Sequence, residues 1–217
     1  MLSGRLGIIG FGGVVMLVSM ILRKEQFPRV AIWKMVVVAL LTLITGVFGT
    51  MVLAYIEMGE FGGTSFYGAV FLVPVLMFPA LLLKMNYKDV LNLVAPAECA
   101  MLFVLRFDCL SNGCCFGRYI PQLEFQFPSQ ISEMVVAVAI MFVLIWMHVK
   151  NKQVQLYPWY MILYGACRFI LQGFRYGGTE PWVLGLSQGH FWSLISIIIG
   201  TAWLLLSRRR KATVKKS

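Results

Sequence analysis

Charge is what this chain has least of. Its 217 residues include nine Asp and Glu and two His, and only 13% are charged. A soluble domain keeps about a quarter of its residues charged to maintain a polar shell. That shortage, with 59% hydrophobic residues and a mean hydropathy of +0.80, excludes an ordinary soluble domain. The glycine-rich stretches lack the Gly-Lys-Ser/Thr ending of a phosphate-binding P-loop. The cysteines lack the paired C-x-x-C spacing of a zinc ribbon. No small-residue cleavage site follows "MILRKEQF", so the first apolar run is expected to be retained rather than removed as a signal peptide.

Long apolar runs are what the sequence does have. Seven approach the roughly 20 residues needed to span a bilayer, near residues 6–22, 33–56, 66–83, 89–107, 131–149, 158–174 and 189–207. The expected fold is an all-α integral membrane protein, a seven-transmembrane-helix bundle forming a single domain over residues 1–217. Fourteen of the nineteen Lys and Arg fall on one side of that arrangement, in the loops after spans one, three and five and in the tail "RRRKATVKKS". Cytoplasmic loops attract basic residues, so the C-terminus is expected in the cytoplasm and the N-terminus outside. The formal charge of +10 then reads as a topology signal facing the lipid bilayer and its anionic headgroups, and nucleic acid is not an expected partner.

The other five basic residues are Arg5, Arg106, Arg118, Arg168 and Arg175. Four of them lie at the outer ends of spans four and six, where Glu57, Glu60, Asp108, Glu124, Glu133 and Glu180 also gather. Function is therefore expected at the outer half of the bundle. In "PWYMILYGACRFILQGFRYGG", Gly165, Arg168, Gln172 and Arg175 recur at helical spacing on one stripe. An arginine inside a membrane helix costs at least ~2.5 kcal/mol. Arg168 therefore needs a partner such as Glu98 or Glu133, or an anionic ligand. Arg106 follows "CAMLFVL", and the planar fork of a guanidinium suits phosphate. Asn112 and Gly113 suit a tight turn whose N–H groups can face an anion, and Gly62 and Gly63 allow close backbone approach. Ser129 and Ser132 read as helix caps, with Glu133 in the first turn. Cys109, Cys114 and Cys115 face outward, where a disulfide is chemically possible. They are expected to act as small packing residues, with no metal bound and no partner to activate a thiol.

In this order the pieces resemble the prolipoprotein diacylglyceryl transferase family. Its central signature, similar to G-R-x-G-C/N-F-x-N-G-C-C-x-G, appears as "LRFDCLSNGCCFG" and retains Arg106, Asn112, Gly113, Cys114, Cys115 and Gly117. Its H-P-T-Q-x-Y-E resembles "FPSQISE", with Pro128, Gln130 and Glu133. Its Y-G-x-x-R-F-x-x-E-x-x-R resembles "YGACRFILQGFR", with Tyr164, Gly165, Arg168, Phe169 and Arg175. "GLSQGH" and "FGGTSFYGA" resemble two further elements, so the likeness spans nearly the whole chain.

The resemblance implies a multi-pass enzyme of the bacterial cytoplasmic membrane, acting at the outer leaflet without a cofactor. It would move the diacylglyceryl group of phosphatidylglycerol to the lipobox Cys thiol in a prolipoprotein signal peptide. The implied catalytic residues are Arg106, Arg168 and Glu133; His190, the one histidine on the outer side, stands where the family has glutamine and is the expected surrogate base, ahead of Glu133. The implied substrate-binding residues are Asn112, Gly113, Gly117, Gln130, Arg175, Tyr164, Gly62 and Gly63. Phe61 and Phe127 stand where the family has histidines, Gln172 where it has glutamate, and Leu6 where it has tyrosine; an expected arginine is replaced around Val47 and Phe48. These replacements leave a second class open, a non-catalytic or differently specific phospholipid-binding or transport paralogue on the same scaffold.

Overall fold

The computed structural model describes residues 2–59, 65–121, 124–176 and 180–214. Among them run seven α-helices: α1 Leu2–Leu22, α2 Ile32–Met58, α3 Phe66–Leu76, α4 Tyr87–Ser111, α5 Ser129–Lys150, α6 Leu156–Gln172 and α7 Gln188–Val214. Two short antiparallel ribbons interrupt them. β1 Tyr119–Ile120 pairs with β2 Phe125–Gln126 between α4 and α5, and β3 Pro181–Val183 pairs with β4 Leu186–Ser187 between α6 and α7.

Every expected span falls on helix, but the spans are not equal. Among the described residues four helices are long and apolar enough to cross a bilayer: α2, α4, α5 and Gln188–Arg209 of α7. The third span is not one helix. α3 has 11 residues, about 16 Å of rise against a hydrocarbon layer of about 30 Å. After it the chain tightens into a 3-10 segment, Phe78–Leu83, with a proline in its first turn, and Lys84 then turns it with a left-handed φ of 53°. Pro74 and Pro79 account for the break, because neither can donate to the preceding turn.

α4 is the axis of the bundle. In its most apolar window 78% of residues are buried, against 28% for α2, 28% for α5 and 17% for α7. Those three outer helices present Ile44, Phe48, Phe142, Trp146, Leu205 and Leu206 outward. So much exposed apolar surface is unstable in water and natural in lipid. The interior is lined by Met16, Met20, Met35 and Met77 and by a run of tyrosines, Tyr157, Tyr160, Tyr164 and Tyr67.

Helix breaks inside an apolar bundle leave carbonyls that need donors. Pro96 cannot bond the Asn92 carbonyl of α4, and the buried Arg23 does so instead, at 2.9 Å, with a second bond to the Leu93 carbonyl at 3.3 Å. The same guanidinium lies 3.3 Å from His148 Nδ1, which must be the acceptor because arginine only donates. Pro74 likewise frees the Val70 carbonyl of α3, and Tyr157 Oη lies 3.1 Å from it and from Glu98 Oε1. Pro96 and Pro74 are thus each answered by a long polar side chain from another segment of the chain.

α2 and α3 cross at glycine. A Cβ on Gly68 would sit 1.9 Å from the Gly49 carbonyl oxygen, and one on Gly49 would sit 2.5 Å from that of Gly68. Small residues let membrane helices approach backbone to backbone. Gly68→Ala should therefore cost about 3 kcal/mol, the upper range for overpacking, and lower the melting temperature in detergent. Gly46→Ala, whose nearest neighbour would be 3.8 Å away, should melt like the unchanged protein.

Candidate functional site

The site assembles where α4, α5 and α6 meet. Arg106 stands in the last turns of α4, and Arg168 in the last turns of α6. Between them α5 starts at Ser129 with Pro128 at its N-cap and no side-chain cap bond. Glu133 is therefore in the second turn of α5, 3% exposed and facing inward. The capping roles expected for Ser129, Ser132 and Glu133 are corrected: Ser132 Oγ bonds the Pro128 carbonyl at 3.0 Å, and Ser129 is buried.

Glu133 takes one arginine on each oxygen. Oε1 accepts from Arg168 Nη1 at 2.6 Å, and Oε2 lies 2.6 Å from Arg106 Nε. The first is a hydrogen-bonded ion pair; the second is a close charge pair outside hydrogen-bond alignment. The two arginines singled out in the sequence thus converge, through a shared carboxylate. Glu98, the other partner considered for Arg168, is bonded by Tyr157 instead.

Arg175 is not on the helical stripe, because α6 ends at Gln172. It lies in an extended bridge opposite Gly117, flanked by Arg118 N donating to Phe174 O at 2.7 Å and Tyr176 N donating to Phe116 O at 3.1 Å. Its charge still belongs to the cluster. Burial, then the nearby Arg168 and Arg106, push the Arg175 guanidinium below its ordinary value, with Glu133 and Cys115 opposing. Tyr164, 3% exposed, is within electrostatic reach of Glu133 and all three arginines.

The rim beside these charges is built by the end of α4. Gly113 adopts φ +59°, Cys114 N donates to Cys109 O at 3.0 Å, and Gly113 N donates to Leu110 O at 3.2 Å. These are the paired bonds of a Schellman ending, which needs a left-handed residue at Gly113. Asn112 closes the same turn by bonding Asp108, and Gln130 donates to the Cys114 carbonyl at 2.5 Å. Neither bond reaches an arginine. Asn112 and Gln130 shape the rim, and the guanidiniums are positioned by Glu133. At Gly117 a Cβ would lie 2.1 Å from the Phe127 carbonyl oxygen, so the rim strand packs there only without a side chain.

Other expected positions lie elsewhere. His190 Nδ1 is 2.7 Å from Ser187 Oγ, and its ring meets Phe169 edge-on at 4.7 Å; none of its described contacts is with Glu133 or an arginine. Phe127 stacks on Phe174 at 5.0 Å. Gln172 packs against Gly189 at the α6–α7 crossing. Phe61, Gly62 and Gly63 lie outside the described residues.

One grouping was not foreseen. The sulfurs of Cys109, Cys114 and Cys115 all lie within 4.8 Å of one another. Cys115 was expected to lack an activating partner. The structure supplies several: a hydrogen bond from Cys109 first, then Arg175, Cys114 and Arg106, push its thiol down to about 5 despite burial. Burial first, then Cys115 and Asp108, shift the Cys114 thiol the other way, with a hydrogen bond from Cys109 opposing.

A lipid-facing helical bundle with buried guanidiniums converging at one end of three helices defines a class, a membrane protein with an internal cationic site. Residues 4–206 match the family model described as prolipoprotein diacylglyceryl transferase, and the chain belongs to that family. It is a family of membrane transferases of lipoprotein biosynthesis. Among curated proteins, none matches the chain.

Removing the shared carboxylate should be severe. Glu133→Gln leaves two buried arginines without their anion, and breaking such a buried pair costs about 3–5 kcal/mol. Thermal unfolding in detergent should show this loss, and adding Arg168→Met to Glu133→Gln should recover part of it. The thiols offer a pH test. A depressed thiol is ionised above its pKa, so iodoacetamide near neutral pH should label Cys115 ahead of the more exposed Cys114. That labelling should fall away as pH drops through about 5, and Arg175→Ala should move the midpoint upward, as followed by peptide mass spectrometry.

Proposed function

We propose that this chain transfers the diacylglyceryl group of phosphatidylglycerol to the lipobox cysteine thiol of a prolipoprotein, at the outer leaflet of the bacterial cytoplasmic membrane. The observation that carries the reading is the meeting of Arg106 and Arg168 at Glu133. Two guanidiniums and one carboxylate leave one surplus positive charge, and Arg175 adds another. A phosphodiester monoanion meets that surplus, and two planar forks suit its oxygens. Tyr164, Gly113, Gly117 and the Gln130-anchored turn complete the rim around it; the resemblance gives Gly62 and Gly63 a substrate-binding role. The seven-span reading with the N-terminus outside, drawn from the distribution of Lys and Arg, supports assigning this rim to the outer leaflet.

In the reaction the acceptor sulfur bonds to the glyceryl carbon as the carbon–oxygen bond to phosphate breaks. The electron pair of that bond leaves on the phosphate oxygen, glycerol 1-phosphate departs, and the thiol proton passes to a base. The leaving monoester gathers more negative charge than the bound diester had. Arginines aimed at it therefore bind the transition state more tightly than the ground state, the condition for acceleration. Glu133 is engaged by both arginines, and taking up a proton would strip them of their partner. His190, bonded to Ser187 at the start of α7, is the group assigned to proton removal.

A second reading, phospholipid binding without turnover, draws on the Phe127–Phe174 stack at a position where the family has histidine. One assay separates the two. Purified protein is given phosphatidylglycerol and a lipobox peptide, and release of glycerol phosphate is followed. Release should occur and should fall by about 10²-fold in Arg106→Lys or Arg168→Lys, which keep the charge and lose the fork. Bound phosphatidylglycerol with no release above background establishes the binding reading instead. His190→Ala should abolish release with lipid binding unchanged; an active variant removes His190 as the base and leaves the anion site standing.

A further inference from the structure

The three-thiol cluster is not used in the proposed transfer, and its geometry is specific. It arises from the way α4 ends. In a Schellman ending the residue after the left-handed glycine folds back over the helix residue five positions earlier. Those two residues are Cys114 and Cys109, joined by the 3.0 Å backbone bond. Cys115 then takes a left-handed φ of 60°, a conformation disfavoured for residues with a Cβ. This turns the chain again, and the third sulfur joins the other two within 4.8 Å. Gln130 of α5 fixes the turn from below through the Cys114 carbonyl, at 2.5 Å.

We propose that Cys109, Cys114 and Cys115 bind one thiophilic d10 cation, Zn2+ or Cu+. Sulfurs bound to zinc at about 2.3 Å stand roughly 3.8 Å apart in a tetrahedral site, and at most about 4.6 Å apart across any shared ion. The present separations need only a small closure of side chains to meet that spacing. Thiolate donors select soft cations over Mg2+ or Ca2+. Three thiolates on Zn2+ or Cu+ give a net negative complex, and cations stand beside it: Arg106 Nη1 is 4.0 Å from Cys109 Sγ, and Arg175 acts on Cys115. A disulfide would use two of the sulfurs and give the third no role, whereas a metal ion uses all three. Cys114 is exposed, so the fourth position of a tetrahedral ion is open to water or to an exogenous thiolate.

The test uses the full chain in detergent, reduced and stripped of metal by chelator, with Cd2+ as the spectroscopic probe. One equivalent should produce thiolate-to-metal charge-transfer absorption. That absorption should be lost in C109S, C114S and C115S and kept in C167S, a half-buried cysteine outside the cluster. Gln130→Ala, which leaves all three sulfurs, should weaken binding about 10-fold as an outer-shell change. Competition by Zn2+ and by Cu+ against the Cd2+ signal then distinguishes the two ions. The proposal is overturned if well-folded, fully reduced protein gives no charge-transfer band, or if the band persists in C115S. It is equally overturned if protein isolated without reductant is two hydrogens lighter, with two of these cysteines joined, and regains no Cd2+ binding on reduction. None of these outcomes depends on transferase activity.

Discussion

A carboxylate shared by two arginines joins three helices at one end of this bundle, and the geometry around it follows. Each of these charges would cost several kcal/mol to bury alone. Glu133 offsets that cost for Arg106 and Arg168 at 2.6 Å on either side. Arg106 comes from α4, the most buried of the four long apolar helices, so the ion cluster is anchored to the axis of the fold. The turn that ends α4 and the start of α5 are then held in one relative position, with Gln130 and Glu133 both projecting from the first turns of α5. The residual positive charge is a structural outcome: three guanidiniums and one carboxylate cannot balance among themselves.

The same economy governs the rest of the membrane interior. With little water to satisfy an open carbonyl, a proline in a helix has to be answered from another part of the chain. Arg23 answers Pro96, and Tyr157 answers Pro74. These bonds run from the segment after α1 into α4 and from α6 into α3. They couple elements that apolar packing would hold only loosely, since lipid competes for every apolar contact. Breaks in regular helix thus become fixed joints, and the helices that carry Arg106 and Arg168 are aligned by bonds far from the arginines themselves.

Hydropathy made the helices legible, because lipid requires long apolar runs and the runs are there. It did not show that the third span breaks. Pro74 and Pro79 were visible, but whether a proline kinks a helix or ends it depends on what receives the freed carbonyl. The convergence of Arg106 and Arg168 was legible from their motifs, and Glu133 was legible as a partner for Arg168. That the same carboxylate also reaches Arg106 was not, because α5 starts at Ser129 and carries Glu133 inward in its second turn instead of leaving it at the capping end. Arg175 kept helical spacing in the sequence, yet the helix stops at Gln172. The sulfur cluster had no spacing signature, since C-x4-C-C matches no familiar metal pattern. Its signal was Gly113: a left-handed helix ending folds Cys114 onto Cys109, and Asn-Gly after an apolar helix was the cue available.

Two positions where the sequence differs from the family motifs it resembles are occupied by packing residues. Phe127 stacks on Phe174, and Gln172 closes against Gly189. Neither can carry a proton, so these two positions add no titratable side chain to the guanidiniums nearby. Besides Glu133 and Tyr164, the titratable groups described beside those guanidiniums are thiols. Among those thiols Cys115 is the one whose proton the surrounding hydrogen bonds and arginines make easiest to remove. A thiolate is large and polarisable, and it holds its charge near Arg106 and Arg175 without the hydration a carboxylate would need. The opposite arrangement, more carboxylates at the rim, would have cancelled the positive surplus that an anion must find. Keeping sulfur there maintains both a cationic pocket and an ionisable edge, and that compatibility follows from the electrostatics of the cluster whichever partner the sulfurs hold.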